Sequence, residues 1–535
     1  AEFQAKREQL ASEVARLQSQ LAATSGQLEA TSEQLKTTKA QVRDQQSRIT
    51  SLTNERQQLQ ATLSGREFRI GNFIWNKLPL NWLAGRLKKW FRRALDLKTR
   101  MSLRFLGGRS KSNHALGTAI VTATRNWPIY SHTFVYQEML SLADMGLNAR
   151  LLYWDKGDLS KLDNAFHALR EQSVRLQHHW GNHKSDFKHF EKTQPQRLRS
   201  FLERISALSG KSPEQLANEG IVLQGCTFAR MVELSGARYL HSYFFYDQSF
   251  MTMMAAWLLE LPRGVSCYAD HMLDDYPWKF VGLQVELADV VVATSARIKR
   301  ELSELSGGKF DDKILVKPNG VDGKRFPAVT RQPHTTGKPF EVLSVSRIEP
   351  KKGLTYLVEA VAELQQRGHP VIVHVIGSED AQSSGRIEYA DLFRRRIEQL
   401  GMHKQIVLHG MLRQEEMAPI IAKCHAFVAP YIETENGDKD GIPTAMLEAM
   451  ASSLPVITTD SGSIQEVVTN DVEGLIVPQR QSSALADAMQ RVLSDPALEQ
   501  RLAQAARARF EKQFDIRVTE QLLHDRIANA INKKS

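Results

Sequence analysis

Asp440 and Glu448 stand eight positions apart in the segment Asp440-Gly-Ile-Pro-Thr-Ala-Met-Leu-Glu448-Ala-Met-Ala, with a Gly-Ile-Pro turn between them. The turn runs straight into a helical pattern, whose first backbone N–H groups have no partner within the helix. Those donors, and the positive end of the helix dipole, suit an anion and most often a phosphate. The flanking carboxylates can accept hydrogen bonds from sugar hydroxyls. One short segment therefore has the means to hold both halves of a nucleotide sugar. A second charged turn lies upstream, where Arg347, Lys351 and Lys352 precede Gly353 just after the apolar run Phe340 to Val345. A guanidinium fork and an ammonium point charge both suit a diphosphate.

These residues need elements to place them. From about residue 115 the sequence alternates between short β-rich runs and helical patterns. Ala115 to Thr124, Val265 to Tyr268, Val290 to Thr294 and Ile314 to Val316 read as buried strands, with helices at Phe134 to Met145 and Phe250 to Leu261. The rhythm restarts at Phe340 to Val345 and continues through a helix at Leu354 to Arg367. Strands at Val371 to Ile376, Ile406 to Leu408, Ala426 to Ala429 and Val456 to Thr458 follow. Two βαβ series predict an α/β protein of two Rossmann-like, doubly wound domains with parallel sheets, facing each other across a cleft. The boundaries fall at 113–332 and 333–509, with a C-terminal helix at about 510–535 packing near the junction.

The amino-terminal stretch has another character. In residues 1–64, Val14, Leu21, Leu28, Leu35, Val42 and Ile49 recur every seven positions beside a second row that includes Leu10, Leu17, Leu52 and Leu59. This is the pattern of a long coiled coil that makes a homo-oligomer, dimer or trimer being left open. The net charge of +10 is concentrated next to it: Arg66 to Lys111 holds thirteen basic residues against Glu67 and Asp96. Tryptophans 75, 82 and 90 lie among those charges, so residues 65–112 read as an amphipathic segment for an anionic membrane surface and a linker. Nucleic acid is the weaker reading of the same composition, and no nucleic-acid partner is expected. Three scattered cysteines without a CxxC pair argue against a disulfide framework and suit a reducing compartment. No run approaches the ~18 apolar residues of a membrane span, and no signal-peptide pattern opens the sequence.

Lys317-Pro-Asn-Gly-Val-Asp322, Ser346-Arg347-Ile-Glu-Pro-Lys-Lys352-Gly and Asp440 to Ala451, in this order and spacing, resemble the retaining glycosyltransferases of family 4, which have the GT-B fold. Trp127-Pro-Ile-Tyr-Ser-His-Thr-Phe134 is similar to the opening loop of members that build bacterial exopolysaccharide and O-antigen. The resemblance implies that Arg347 and Lys352 neutralise the departing diphosphate, and that backbone N–H groups of Thr444 and Ala445, after Gly441 and Pro443, bind the same phosphates. By the same resemblance Glu448 takes the ribose hydroxyls. Asp440, where the family usually has glutamate, contacts the transferred sugar. Gly377 and the pair His409-Gly410 fall where the family places the base, and Asn319 shapes the hinge. The family's histidine in the first domain has no exact counterpart: either Tyr268 takes its place or His271 reaches it. His241 and Tyr243 are further candidates for sugar or acceptor contact.

What the resemblance implies is transfer of a sugar from a UDP- or GDP-linked donor to a glycan acceptor, a polyprenyl-linked one given the membrane segment. The anomeric configuration is retained, without cofactor or metal, at the cytoplasmic face of the bacterial inner membrane. The alternatives are an inactive adaptor with a glycosyltransferase fold and a nucleotide-sugar epimerase.

Overall fold

The structure is a computed structural model that describes residues 116–534 apart from 130–131, 160–161, 163–165, 177–182, 269–277, 279, 333, 336 and 379–383. The expected coiled coil, the basic segment and His271 lie outside the described residues.

The first sheet comprises β1 (Gly117–Thr122), β2 (Leu147–Tyr153), β3 (Ser173–Arg175), β4 (Tyr239–Ser242), β5 (Arg263–Cys267), β6 (Val290–Ala293) and β7 (Ile314–Val316). Its spatial order is β3-β2-β1-β4-β5-β6-β7, every neighbour parallel. The second comprises β8 (Phe340–Val345), β9 (Val371–Ile376), β10 (Ile406–Gly410), β11 (Ala426–Ala429), β12 (Val456–Thr459) and β13 (Gly474–Val477). Its order is β10-β9-β8-β11-β12-β13, again all parallel. Both sheets reverse direction between their first and fourth strands, which opens a crevice beyond the strand C-termini at that point.

Several of the strands read from sequence are buried on both faces. Val290-Val-Val-Ala293 is no more than 1% exposed at any position, as a parallel strand between two helical layers must be. In β8, Val342 and Leu343 point into separate cores on opposite faces of the sheet. Within the two large sheets, four strands (β2, β3, β4 and β13) and a helical insertion between β3 and β4 add to what the sequence indicated, as does a small parallel pair, Asn126–Trp127 with Asp155–Lys156. The insertion contains the helices His183–Thr193, Pro195–Ser209, Pro213–Leu216 and Gly220–Ser235. Among the described residues no helix is long and apolar enough to cross a membrane.

The chain passes between the domains twice. Lys317 to Val321 leads from β7 into the second domain, and Phe514 to Ile516 leads back. The two crossings are tied by Val321 N–H to the Phe514 carbonyl and Ile516 N–H to the Val321 carbonyl, both 3.0 Å. Helix Ile516–Lys534 then places Leu523, Ile527 and Ile531 in the first domain's core beside Val121 and Met139. Beneath the crossing, Lys317 Nζ lies 2.8 Å from Glu138 Oε2 and 2.7 Å from Glu520 Oε1, all three side chains at most 3% exposed.

Candidate active site

The site assembles where β8 and β11 meet, at the reversal of the second sheet. Beyond β8 the chain turns through Arg347 to Lys352, and Gly353 starts the helix Leu354–Gln366. A Cβ on Gly353 would sit 2.0 Å from the Pro430 carbonyl oxygen, so only glycine lets this turn press against the loop after β11. Ile432 N–H donates to the Lys351 carbonyl at 2.9 Å and locks the two loops together.

The charged groups meet across that contact. Lys352 Nζ donates to Asp440 Oδ2 at 2.7 Å and lies 5.0 Å from the centroid of the Tyr431 ring. Lys351 Nζ donates to Asp438 Oδ1 at 3.0 Å and stands 3.9 Å from Asp440 Oδ1. Burial alone would raise the Asp440 carboxyl, but Lys352, Lys351 and Arg347 outweigh it and hold it below the usual carboxylate value. Glu448 has the opposite balance: burial pushes it up to about 7, with only Arg325 pulling it down. Arg347 pairs with Glu349, Nη2 to Oε1 at 2.9 Å.

Helix Thr444–Ala451 begins directly after Pro443, which supplies no side-chain cap. The first N–H groups are thus left for an outside acceptor. Asn319 Nδ2, from the interdomain crossing, donates to Thr444 Oγ1 at 3.3 Å, and its Oδ1 is buried without a hydrogen-bond partner. At the far edge, Gly377 N–H donates to the Gly410 carbonyl at 2.8 Å, and a Cβ on Gly377 would stand 1.8 Å from the Ser346 carbonyl oxygen. Gly377 therefore abuts the Arg347 turn. The His409 ring runs along the sheet instead: its Nε2 shares a hydrogen bond with His374 Nδ1 at 2.9 Å, and His374 Nε2 shares one with Glu341 at 2.7 Å.

The first domain approaches from the other side. A Cβ on Gly441 would stand 3.8 Å from both the Tyr268 carbonyl oxygen and Ile298 Cδ1. The Tyr268 ring turns inward, however, donating its hydroxyl to Glu138 Oε2 at 3.0 Å and lying 4.4 Å from the Phe134 ring. His241 and Tyr243, expected as sugar or acceptor contacts, are both 0% exposed inside the domain. The ring nitrogens of His241 are taken by Tyr239 and Ser266, at 3.0 and 2.8 Å, and burial lowers its pKa to about 4. The histidine that does come near is His132, at the start of helix Thr133–Asp144. Burial and then the charge of Arg347 lower it to about 4, which keeps it neutral at pH 7. Sequence reading took in the loop that carries His132 without singling out the residue. Its position beside phenylalanines 134 and 244 is set by tertiary contact.

A clasp joins the domains beside Asp440. Glu466 accepts the backbone N–H groups of Ala296 at 2.6 Å and Arg297 at 3.1 Å, at the start of the first domain's helix Ala296–Leu305. Ser463 Oγ donates to Ser295 Oγ at 3.0 Å and accepts from Arg297 Nε at 3.1 Å. Gly462, next to Ser463, packs on the Asp440 backbone, where a Cβ would meet the carbonyl oxygen at 2.1 Å.

Residues 328–509 match the family model described as "Glycosyl transferases group 1". The chain is 25% identical over 406 residues to the amylovoran biosynthesis glycosyltransferase AmsK of Erwinia amylovora, covering 73% of this chain and 95% of that protein. It is 31% identical over 231 residues to glycogen synthase of Mycobacterium tuberculosis, a match that spans 43% of this chain and about half (52%) of the relative. Among solved structures, Anabaena HepE in complex with UDP superposes with a TM-score of 0.57 at 16% identity, covering 77% of this chain and all (100%) of that one. The second domain is thus similar to group 1 glycosyltransferase domains, and the two-domain frame around it has the GT-B-like fold.

Proposed function

We propose that the chain is a retaining glycosyltransferase that moves a sugar from a nucleotide-diphosphate donor to a hydroxyl of a lipid-linked glycan. The observation that carries this reading is the convergence of Arg347, the Lys352–Asp440 pair and the uncapped start of helix Thr444–Ala451 at the reversal of the second sheet. Arg347, Lys352 and the helix N-terminus meet the negative charge that grows on the departing diphosphate. Bond breaking leaves an oxocarbenium-like anomeric carbon, and the acceptor oxygen attacks from the face that the diphosphate has left. The leaving phosphate takes the acceptor's proton, so no nucleophile from the chain is required. Asp440 faces the transferred sugar and Glu448 the ribose. Gly377 and Gly410 leave room for the base. No cofactor enters this scheme.

The relatives' names support a role in glycan biosynthesis, and we extend it to bacterial polysaccharide or O-antigen assembly at the cytoplasmic face of the inner membrane. There residues 66–111 hold the enzyme on anionic lipid and residues 1–64 join its copies. Sedimentation with anionic liposomes tests the anchoring, and binding that survives deletion of 66–111 rules it out. The activity is tested by nucleotide release from a panel of UDP- and GDP-sugars, with membrane extract as acceptor source. One donor turns over, and Arg347→Ala slows it ~10²–10³-fold. Silence across the panel favours an adaptor that keeps the fold without the reaction.

A further inference from the structure

Arg347 does not stand alone on its side of the cleft. Glu349, two residues on, has a side chain only 4% exposed, and its carboxylate is shared by two guanidinium groups. Arg347 Nη2 lies 2.9 Å from Oε1, an ion-pair contact that leaves Oε1 without a hydrogen bond, and Arg386 Nε, on the helix Ser384–Gln399, lies 3.0 Å from Oε2. A buried carboxylate needs such partners, because desolvating it unpaired is costly. The arithmetic of charge matters more. Arg347 with Glu349 alone would be a neutral pair, and its pull on a departing diphosphate would be spent on its neighbour. With Arg386 present the cluster carries a net charge of one positive unit, and Arg347 is close enough for its charge to lower the Asp440 carboxyl.

We propose that Glu349 is a positioning residue that fixes the Arg347 guanidinium, and that Arg386 neutralises Glu349 so that the charge of Arg347 stays available to the donor diphosphate. This inference rests on the transferase reading above. It assigns Arg386 a role in donor binding and leaving-group stabilisation without contact to the substrate.

The test is a pair of double-mutant cycles. Kd for UDP and for GDP is measured by titration calorimetry, and kcat with the sugar nucleotide that turns over. The proteins are wild type, R347A, E349Q, R386A, R347A/E349Q and R386A/E349Q. Glutamine keeps the buried shape at 349, and R386Q serves if R386A does not fold. R386A is expected to weaken nucleotide binding and slow turnover ~10-fold, as expected for coupled charges. R386A/E349Q loses no more than E349Q alone, because the carboxylate that Arg386 neutralises is gone. In the R347A background E349Q changes nothing further. Additive losses, with R386A/E349Q worse than E349Q while the wild-type protein binds and turns over, overturn this inference alone. A wild-type protein that binds neither nucleotide overturns the transferase reading and this inference together.

Discussion

At the scale of single residues, Asp440 and Glu448 are one chemical type in two environments. Asp440 lies against Lys352 and stays ionised, whereas Glu448 has no cation bonded to it and is pushed up to about 7 by burial. Such a split usually marks two different tasks. Because folding raises the Glu448 pKa, the stability it contributes is full below its ordinary 4.5 and is lost as pH rises through about 7. Under the proposed function nucleotide binding pulls the other way, since the ribose hydroxyls would donate to the carboxylate. Nucleotide affinity is therefore expected to fall by up to about tenfold per pH unit below 7 and to level off above it. Calorimetric titration between pH 5.5 and 8.5 (about that range brackets the raised value) reads the slope. Glu448→Gln flattens it, whereas Glu520→Gln, which removes the other carboxyl raised to about 7, leaves it intact. A slope that persists in Glu448→Gln assigns the proton elsewhere.

At the scale of elements, the Glu138–Lys317–Glu520 cluster ties three segments together: the helix that follows the opening loop, the first interdomain crossing and the returning C-terminal helix. Burial alone would raise Glu138, but Lys317 outweighs it and holds it low. Glu520, facing the same lysine and a second carboxylate, is raised to about 7. One lysine thus compensates two buried acids. Lys317→Met leaves both unpaired and is expected to cost ~3–5 kcal/mol, read as a lowered urea midpoint. Little change in the midpoint would show that the carboxyls protonate without strain. Legibility of the elements followed apolar sequence rather than burial, since β4 is buried at every position and still does not stand out. The all-apolar runs of β6 and β11 announce themselves, but β2 and β4 carry Asn148 and His241 among their buried residues. Those polar groups break the hydrophobic pattern by which a strand is read. In His241 both ring nitrogens are satisfied by partners, one of them on a neighbouring strand.

For the whole molecule, the clasp is the feature that joins chemistry to domain arrangement. Glu466 of one domain satisfies two orphan N–H groups at a helix start in the other, and the neighbouring Gly462 packs on the Asp440 backbone. Glu466→Ala leaves those donors to water and loosens the domain contact by ~1–3 kcal/mol. The expected result is a donor KM raised ~10-fold with a smaller change in kcat, because the loss falls on closing the cleft around the donor. Small-angle scattering of the variant shows a larger radius of gyration than the wild type. Equal losses in kcat and kcat/KM, with no change in scattering, would instead place Glu466 in the chemical step.

The sequence by itself determined the local chemistry: the strand-to-helix turn that carries Arg347 and Lys352, the Pro443 turn that opens a helix, and the repeated alternation that makes two parallel sheets. Each depends on neighbours within a dozen or so positions, and composition and spacing record those. Tertiary structure alone decided the pairings. Lys352 bonds Asp440 across 88 positions and Arg297 bonds Ser463 across 166. Arg347 shares a carboxylate with Arg386 from another loop and helix. His132 owes its lowered pKa first to burial and then to Arg347 of the other domain. Such contacts exist only after both sheets have formed and the chain has crossed twice between them, so no local pattern encodes them.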